Sequence, residues 1–226
     1  DMETHAARQL SLESRLRRAI DADQFELVYQ PKIEVETLKL AGFEALVRWR
    51  GEDGALISPG EFIPAAEETG LIIPLGELVL RSACEQMAAW RREGLVDLPV
   101  SVNLSGRQVS DPHLSRKALA ILAHSGLPSS HLKLELTETA LFRSTPGIRE
   151  ALLELHAAGV RFLLDDFGTG YSSLSYLKRF PIEAIKIDKS FVQGMVEDPD
   201  AASIVNAIIN MAHALKMRVI AEGVET

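Results

Sequence analysis

The stretch RFLLDDFGTGYSSL, residues 161–174, ends a run of apolar, strand-forming residues in two adjacent aspartates and follows them with a glycine-rich turn. Adjacent carboxylates repel, and taking them out of water costs on the order of several kcal/mol unless a cation or hydrogen-bond donors compensate. Asp165 and Asp166 therefore require a counter-charge near the end of a strand.

The same arrangement recurs along the chain. Polar residues close LPVSVNLS at Asn103, HLKLELTE at Glu135, EAIKID at Lys186 and Asp188, and RVIAEG at Glu222. Between the later runs lie SRKALAILAHSG, GIREALLELHAAG and DAASIVNAIINMAHALK, with apolar residues at helical spacing and a glycine or basic residue near each end. Such alternation predicts parallel strands with crossover helices, either a (β/α)8 barrel or an open doubly wound sheet. The polar strand ends decide for the barrel. A barrel brings its C-terminal strand ends to one rim, where active sites are built, whereas an open sheet strings them along an edge. At the start, FELVYQPKI and LKLAGFEALVRW read as two strands joined by a short turn, an antiparallel pair without the glycine-rich turn of a dinucleotide fold.

The expected fold is thus α/β, a modified TIM (β/α)8 barrel with an antiparallel first strand, over residues 25–226. Residues 1–24, beginning DMETHAARQLSLESRLRRAI, are expected to form a charged linker helix continuing from a longer protein. The seventh barrel strand is followed at once by the last residues, AEGVET, so the final βα unit is expected to be absent, against about 250 residues for a full barrel.

With 226 residues, 46% hydrophobic and 25% charged, the composition is that of one domain with a sizeable core. The single cysteine, Cys84, excludes an internal disulfide and fits a reducing compartment. No apolar run reaches the roughly 20 residues of a membrane span, and no signal-peptide core opens the chain, so a cytoplasmic location is expected, including that of the cytoplasmic part of a membrane protein. A net charge of −8 disfavours broad binding to a nucleic acid polymer. A phosphate ligand would then need local positive charge, most simply from metal ions.

Glu44, Asn103, Glu135, Asp165 and Asp166 offer hard oxygen ligands, which suit Mg2+ or Mn2+; none of the six histidines lies in these motifs, which disfavours a His-rich zinc site. Singly, each has a plain structural reading: a solvent-facing strand residue, a turn former, an ion-pair partner or a helix cap. Placed on one rim, they read as a site. In KLELTE, strand parity puts Glu135 with Lys133 and Thr137, and Glu138 on the other face, so one of the two glutamates lines the pocket while the other holds a neighbouring loop. Lys186 follows two apolar residues, where a lysine is costly unless its ammonium meets carboxylates or phosphate. Asp188 either orients Lys186 or holds a metal-bound water, and Glu222 faces the same rim. In FGTGYSSL, Gly168 and Gly170 permit positive φ and Ser172 and Ser173 can cap a helix, so a mobile loop covering the metals is expected. Arg48 is a phosphate clamp or a structural ion-pair partner.

Together, YQPKI, EALVRW, SPGEFIPAAEETGLI, VNLSGRQ, LELTET, LLDDFGTGYSSLSYLKRFPIEAIKIDKSFV and VIAEGVET resemble, in order and over nearly the whole chain, the EAL-domain family. Its members are phosphodiesterases that hydrolyse the bacterial second messenger cyclic di-GMP to linear pGpG. The resemblance implies two divalent ions, Mg2+ or Mn2+, ligated by Glu44, Asn103, Glu135 and Asp165, with Asp165 bridging to a second ion that Asp166 helps hold. It further implies that Lys186 orients the attacking water or neutralises phosphate, that Asp188 supports the second ion, and that Glu222 holds metal-bound water or acts as base. Arg48 would contact the ligand phosphate, while Glu138 and Glu225 would anchor the loop that couples dimerisation to metal binding. A homodimer fused to upstream regulatory or GGDEF-type domains is the implied assembly. The family's eighth strand carries a Gln-Gly motif that this chain does not contain. That departure keeps a non-catalytic cyclic di-GMP receptor as the alternative, whereas intact EGVET and DDFGTGYSSL disfavour a barrel phosphodiesterase for glycerol-type substrates.

Overall fold

The computed structural model describes residues 2–22, 24–142, 146–168, 177, 179–195 and 198–224. Its sheet begins with a hairpin. β1 (Phe25–Ile33) and β2 (Leu40–Arg50) pair antiparallel, with Gln30 opposite Glu44 and Lys32 opposite Gly42. A short β3 (Leu56–Ile57), absent from the sequence-based expectation, folds back on β2.

From there every pairing is parallel. β4 (Val100–Leu104), β5 (Leu132–Thr137), β6 (Arg161–Phe167), β7 (Ile182–Ile187) and β8 (Arg218–Ala221) give the order β1-β2-β4-β5-β6-β7-β8. The result is a curled sheet of the TIM-barrel-like kind with its first strand antiparallel, as the alternation of elements predicts. Across its opening, Arg218 at the start of β8 lies 4.0 Å from Glu34 just past β1.

Helices cover the outer face. α2 (Pro59–Thr69) has proline in its first turn and ends at Gly70 in the left-handed conformation, φ 79°. α3 (Ile72–Arg92) buries Leu75, Val79, Leu80, Ala83 and Met87, the stripe expected of a helix packed on a sheet. α4 (Gly106–Val109) and α5 (Leu114–Ser125) follow β4. α6 (Glu138–Phe142) and α7 (Pro146–Ala157) follow β5. α8 (Lys189–Gly194) and α9 (Pro199–Ala214) join β7 to β8.

α1 (Met2–Asp21) is more than a linker in its second half. Leu12, Leu16 and Ala19 are buried in the same core as Phe25, Trp49 and Phe62, and the Arg15 guanidinium lies 5.5 Å from the Trp49 ring centre. The three aromatic rings pack at centroid separations of 5.6–5.8 Å, which ties α1, the hairpin and α2 into one unit.

Candidate active site

Strand register decides which side chains meet. Neighbouring strands place Asn103 beside Glu135, Glu44 beside Ser101, and Thr137 beside Asp165. Paired residues share a face of the sheet, so these groups collect inside the curl. Lys186, on β7, is 1% exposed, and Glu222 is set next to it by its backbone N–H, which donates to the Ile187 carbonyl at 3.2 Å.

The pair Asp165–Asp166 breaks the alternation. In a regular strand, adjacent side chains point to opposite faces. Here the β6–β7 register slips between Leu164 and Phe167, so β6 carries one extra residue, and Asp166 adopts φ 53°. Such a bulge, with a left-handed residue that aspartate tolerates better than most, turns both carboxylates to one side. Oxygens of Asp165, Asp166 and Glu222 come within 4.8 Å of one another. Gly168 continues the irregular backbone at φ 102°, where an added Cβ would come 3.1 Å from the Phe191 ring.

Lys186 is the hub of the site. Its ammonium pairs with Glu135 at 2.5 Å, Glu222 at 2.7 Å, Glu44 at 3.2 Å and Asp165 at 3.2 Å. Asn103 donates its amide to the other oxygen of Glu44 at 2.8 Å. Lys32 is a member that sequence reasoning missed: it pairs with the remaining oxygen of Glu135 and donates to the Ser101 hydroxyl at 2.9 Å. The signal available for it was its parity with Gln30, which pairs with Glu44 across the hairpin.

The other candidates lie around this centre. Arg48 shares the β2 face of Glu44, and its guanidinium donates to the Val47 carbonyl at 2.8 Å. Asp188 sits just beyond β7 as the N-cap of α8, accepting from the Ser190 N–H at 2.9 Å and from the Ser190 hydroxyl. Those hydrogen bonds hold its carboxyl below the usual range. Glu138 opens α6 and is buried. Gly170, Ser172, Ser173 and Glu225 lie outside the described residues.

The charges perturb one another. Burial pushes the Asp165 carboxyl up to about 6, aided by the nearby carboxylates of Glu135, Glu222 and Asp166 and opposed by Lys186. Burial disfavours the Lys186 ammonium, yet Glu135, Asp165 and Glu44 outweigh it and hold its pKa well above the ordinary lysine value. Burial likewise works against the Glu135 carboxylate, and Lys186 and Lys32 overcome it to keep its pKa low.

A stability signature follows for the metal-free protein. Between the ordinary Asp value of 3.8 and about 6, the folded state retains a proton on Asp165 that the unfolded chain has released. Folding then takes up a proton, so this group's contribution falls as pH rises through that window and is constant outside it. Urea unfolding in chelator from pH 3.5 to 7 is expected to show this slope in the native protein and to lose it in Asp165→Asn. Equal slopes in the two proteins would refute the assignment.

The donor set fits hard divalent cations. Asp165, Asp166 and Glu222 bring carboxylate oxygens within 4.8 Å of one another, and carboxylate and amide oxygens suit Mg2+ or Mn2+.

Comparison with known proteins places this geometry in context. The sequence profile of the EAL domain matches residues 13–226. The bifunctional diguanylate cyclase/cyclic di-GMP phosphodiesterase MucR of Pseudomonas aeruginosa is 43% identical over 225 residues, covering 100% of this chain and 33% of that protein. The cyclic di-GMP phosphodiesterase PdeR of Escherichia coli is 41% identical over 230 residues, covering 100% of this chain and 34% of that protein. The chain therefore spans about a third of the length of the curated relatives it matches. Among solved structures, the PaMucR phosphodiesterase in complex with c-di-GMP superposes with a TM-score of 0.90 at 43% identity, covering 96% of this chain and 87% of that one.

Proposed function

The chain belongs to the EAL domain family, and from that premise we propose that it is a metal-dependent phosphodiesterase hydrolysing cyclic di-GMP to linear pGpG. The observation that carries the reading is the carboxylate ring of Glu44, Glu135, Asp165 and Glu222 around the buried Lys186, in a chain 43% identical to a phosphodiesterase solved with c-di-GMP.

In this reading Glu44, Asn103, Glu135 and Asp165 hold one divalent ion, and Asp165 and Asp166, supported by Asp188, hold a second. When bound, two such ions supply Lewis acidity for water and phosphate in an in-line displacement. The remaining work falls to the chain itself. Lys186 presents a fixed positive charge to the scissile phosphate, next to which negative charge develops in the transition state. Glu222, 2.7 Å from that ammonium and partly exposed, is placed to accept a proton from the attacking water. Arg48 clamps a second phosphate from the β2 side. Glu138 and Glu225 anchor the loop after Asp166, through which a second copy of the domain influences the site. A cytoplasmic location and fusion to upstream regulatory domains complete the reading. No described helix is long and apolar enough to cross a membrane.

The test is incubation of the chain with cyclic di-GMP and Mg2+ or Mn2+, with separation of products by chromatography. Linear pGpG that disappears on chelation is the expected result. Tight nucleotide binding without product at any metal concentration would make the domain a receptor and overturn the catalytic reading.

A further inference from the structure

The inner layer of the site contains a cation that the reaction described above does not use. Lys32 comes from β1, the antiparallel strand, and reaches the floor of the cluster behind Glu135. Its ammonium donates to the Ser101 hydroxyl at 2.9 Å, pairs with Glu135 Oε1, and lies 3.8 Å from Glu44 Oε2. Lys186 takes Glu135 Oε2. Both oxygens of Glu135, itself 1% exposed, are thus held by ammonium groups, and Glu44 is flanked by the same two lysines. At the rim, Asp165, Asp166 and Glu222 crowd together, and Lys186 pairs with Asp165 and Glu222.

Two properties follow from electrostatics. A fixed positive charge on the floor offsets the burial of Glu135 when no metal is present, because a carboxylate this deep is costly without a partner. The same charge repels a divalent ion and competes with it for the oxygens of Glu135 and Glu44. We infer that Lys32 is a positioning residue: it holds Glu135 in place in the metal-free domain and sets the divalent-ion affinity of the site by competing for its inner carboxylates. This rests on the metal-dependent reading of the site given above.

The experiment is calorimetric titration of Mn2+ into chelator-stripped protein, without nucleotide, for the native chain, Lys32→Gln and Lys32→Arg, alongside thermal melting with and without saturating Mn2+. The glutamine, one bond shorter, keeps a neutral donor on the same stem but carries no charge; the arginine keeps the charge. Lys32→Gln is expected to bind Mn2+ about tenfold more tightly, the direction given by removing a like charge a few ångströms away. It should melt lower than the native chain in chelator, with the deficit shrinking at saturating Mn2+. Lys32→Arg should stay close to native on both counts.

Unchanged or weaker Mn2+ binding in Lys32→Gln overturns the inference, as does an equal loss of melting temperature with and without Mn2+, which marks a merely structural lysine. Should Lys32→Gln not fold, Ser101→Ala, which removes the hydroxyl that shares the ammonium with Glu135 and leaves its charge in place, is expected to weaken Mn2+ binding modestly, and no shift there overturns the inference as well. Absence of Mn2+ binding in the native chain would sink the metal reading itself, an outcome distinct from equal affinities across the variants.

Discussion

Lys186→Met is expected to destabilise the metal-free domain by about 3–5 kcal/mol, the range seen when one partner of a buried ion pair is removed. The methionine fills much of the same space, so the loss is electrostatic: Glu44, Glu135, Asp165 and Glu222 all lie within 3.2 Å of the missing ammonium. Lys32 remains as a counter-charge, but it reaches only Glu135 and, at 3.8 Å, Glu44. The deficit should shrink in acid, where Asp165, already pushed up to about 6, takes a proton. It should also shrink when Mg2+ or Mn2+ replaces the lost positive charge, while turnover stays absent. Urea unfolding in chelator and in saturating divalent ion measures all three. A deficit below about 1 kcal/mol in chelator, the scale of an exposed pair, would mean that Lys186 is not the hub the geometry makes it.

Glu44→Ala is expected to reduce cyclic di-GMP hydrolysis by more than about a hundredfold, beyond the cost of losing an outer partner of a metal ligand. Glu44 is the one carboxylate that joins Asn103 on the rim to Lys186 in the interior, through its two oxygens. In the proposed reading its removal takes away one ligand of the divalent ion and frees another, Asn103, from its hydrogen bond. The effect should appear as weaker apparent Mg2+ affinity together with a lower maximal rate, read from initial rates at several metal concentrations. Native rates at ordinary Mg2+ would remove Glu44 from the site.

Much of this was legible in the sequence because a period-2 strand followed by a period-3.6 helix fixes which residues reach the rim. Lys186 and Glu222 needed only strand ends to be brought to the rim, whereas parity separated Glu135 from Glu138 without saying which of the two lines the pocket. Four features resisted. Asp165 and Asp166 converge through a bulge whose left-handed residue is an aspartate, and a single-residue insertion in one strand leaves no periodicity to detect. Lys32 lies in FELVYQPKI, read only as one strand of the opening antiparallel pair; its reach into the interior depends on how β1 sits relative to β4 and β5, a tertiary fact. Asp188 caps α8 because β7 stops at Ile187, and strand ends are the least sharply written boundaries in any sequence. The opening helix, expected to be a linker, contributes Leu16 and Ala19 to the core because its apolar stripe finds Trp49 and Phe62, residues 33 and 46 positions beyond Leu16.

The antiparallel start of the sheet bears on how the molecule assembles in time. The β1–β2 hairpin closes over a short loop, and contacts of that kind form early because little chain entropy is lost in making them. The contacts that make the site are of the opposite kind: Lys186 and Glu44 are 142 residues apart in the chain, and Lys32 and Glu135 are 103 apart. A nascent chain can thus complete its hairpin, and even its first parallel pairs, with Glu44 and Glu135 in place and the lysine that pairs with both not yet made. The cluster around Lys186 comes together only once β7 and the residue after β8 are in place, so the charged centre is the last part of the described fold to form.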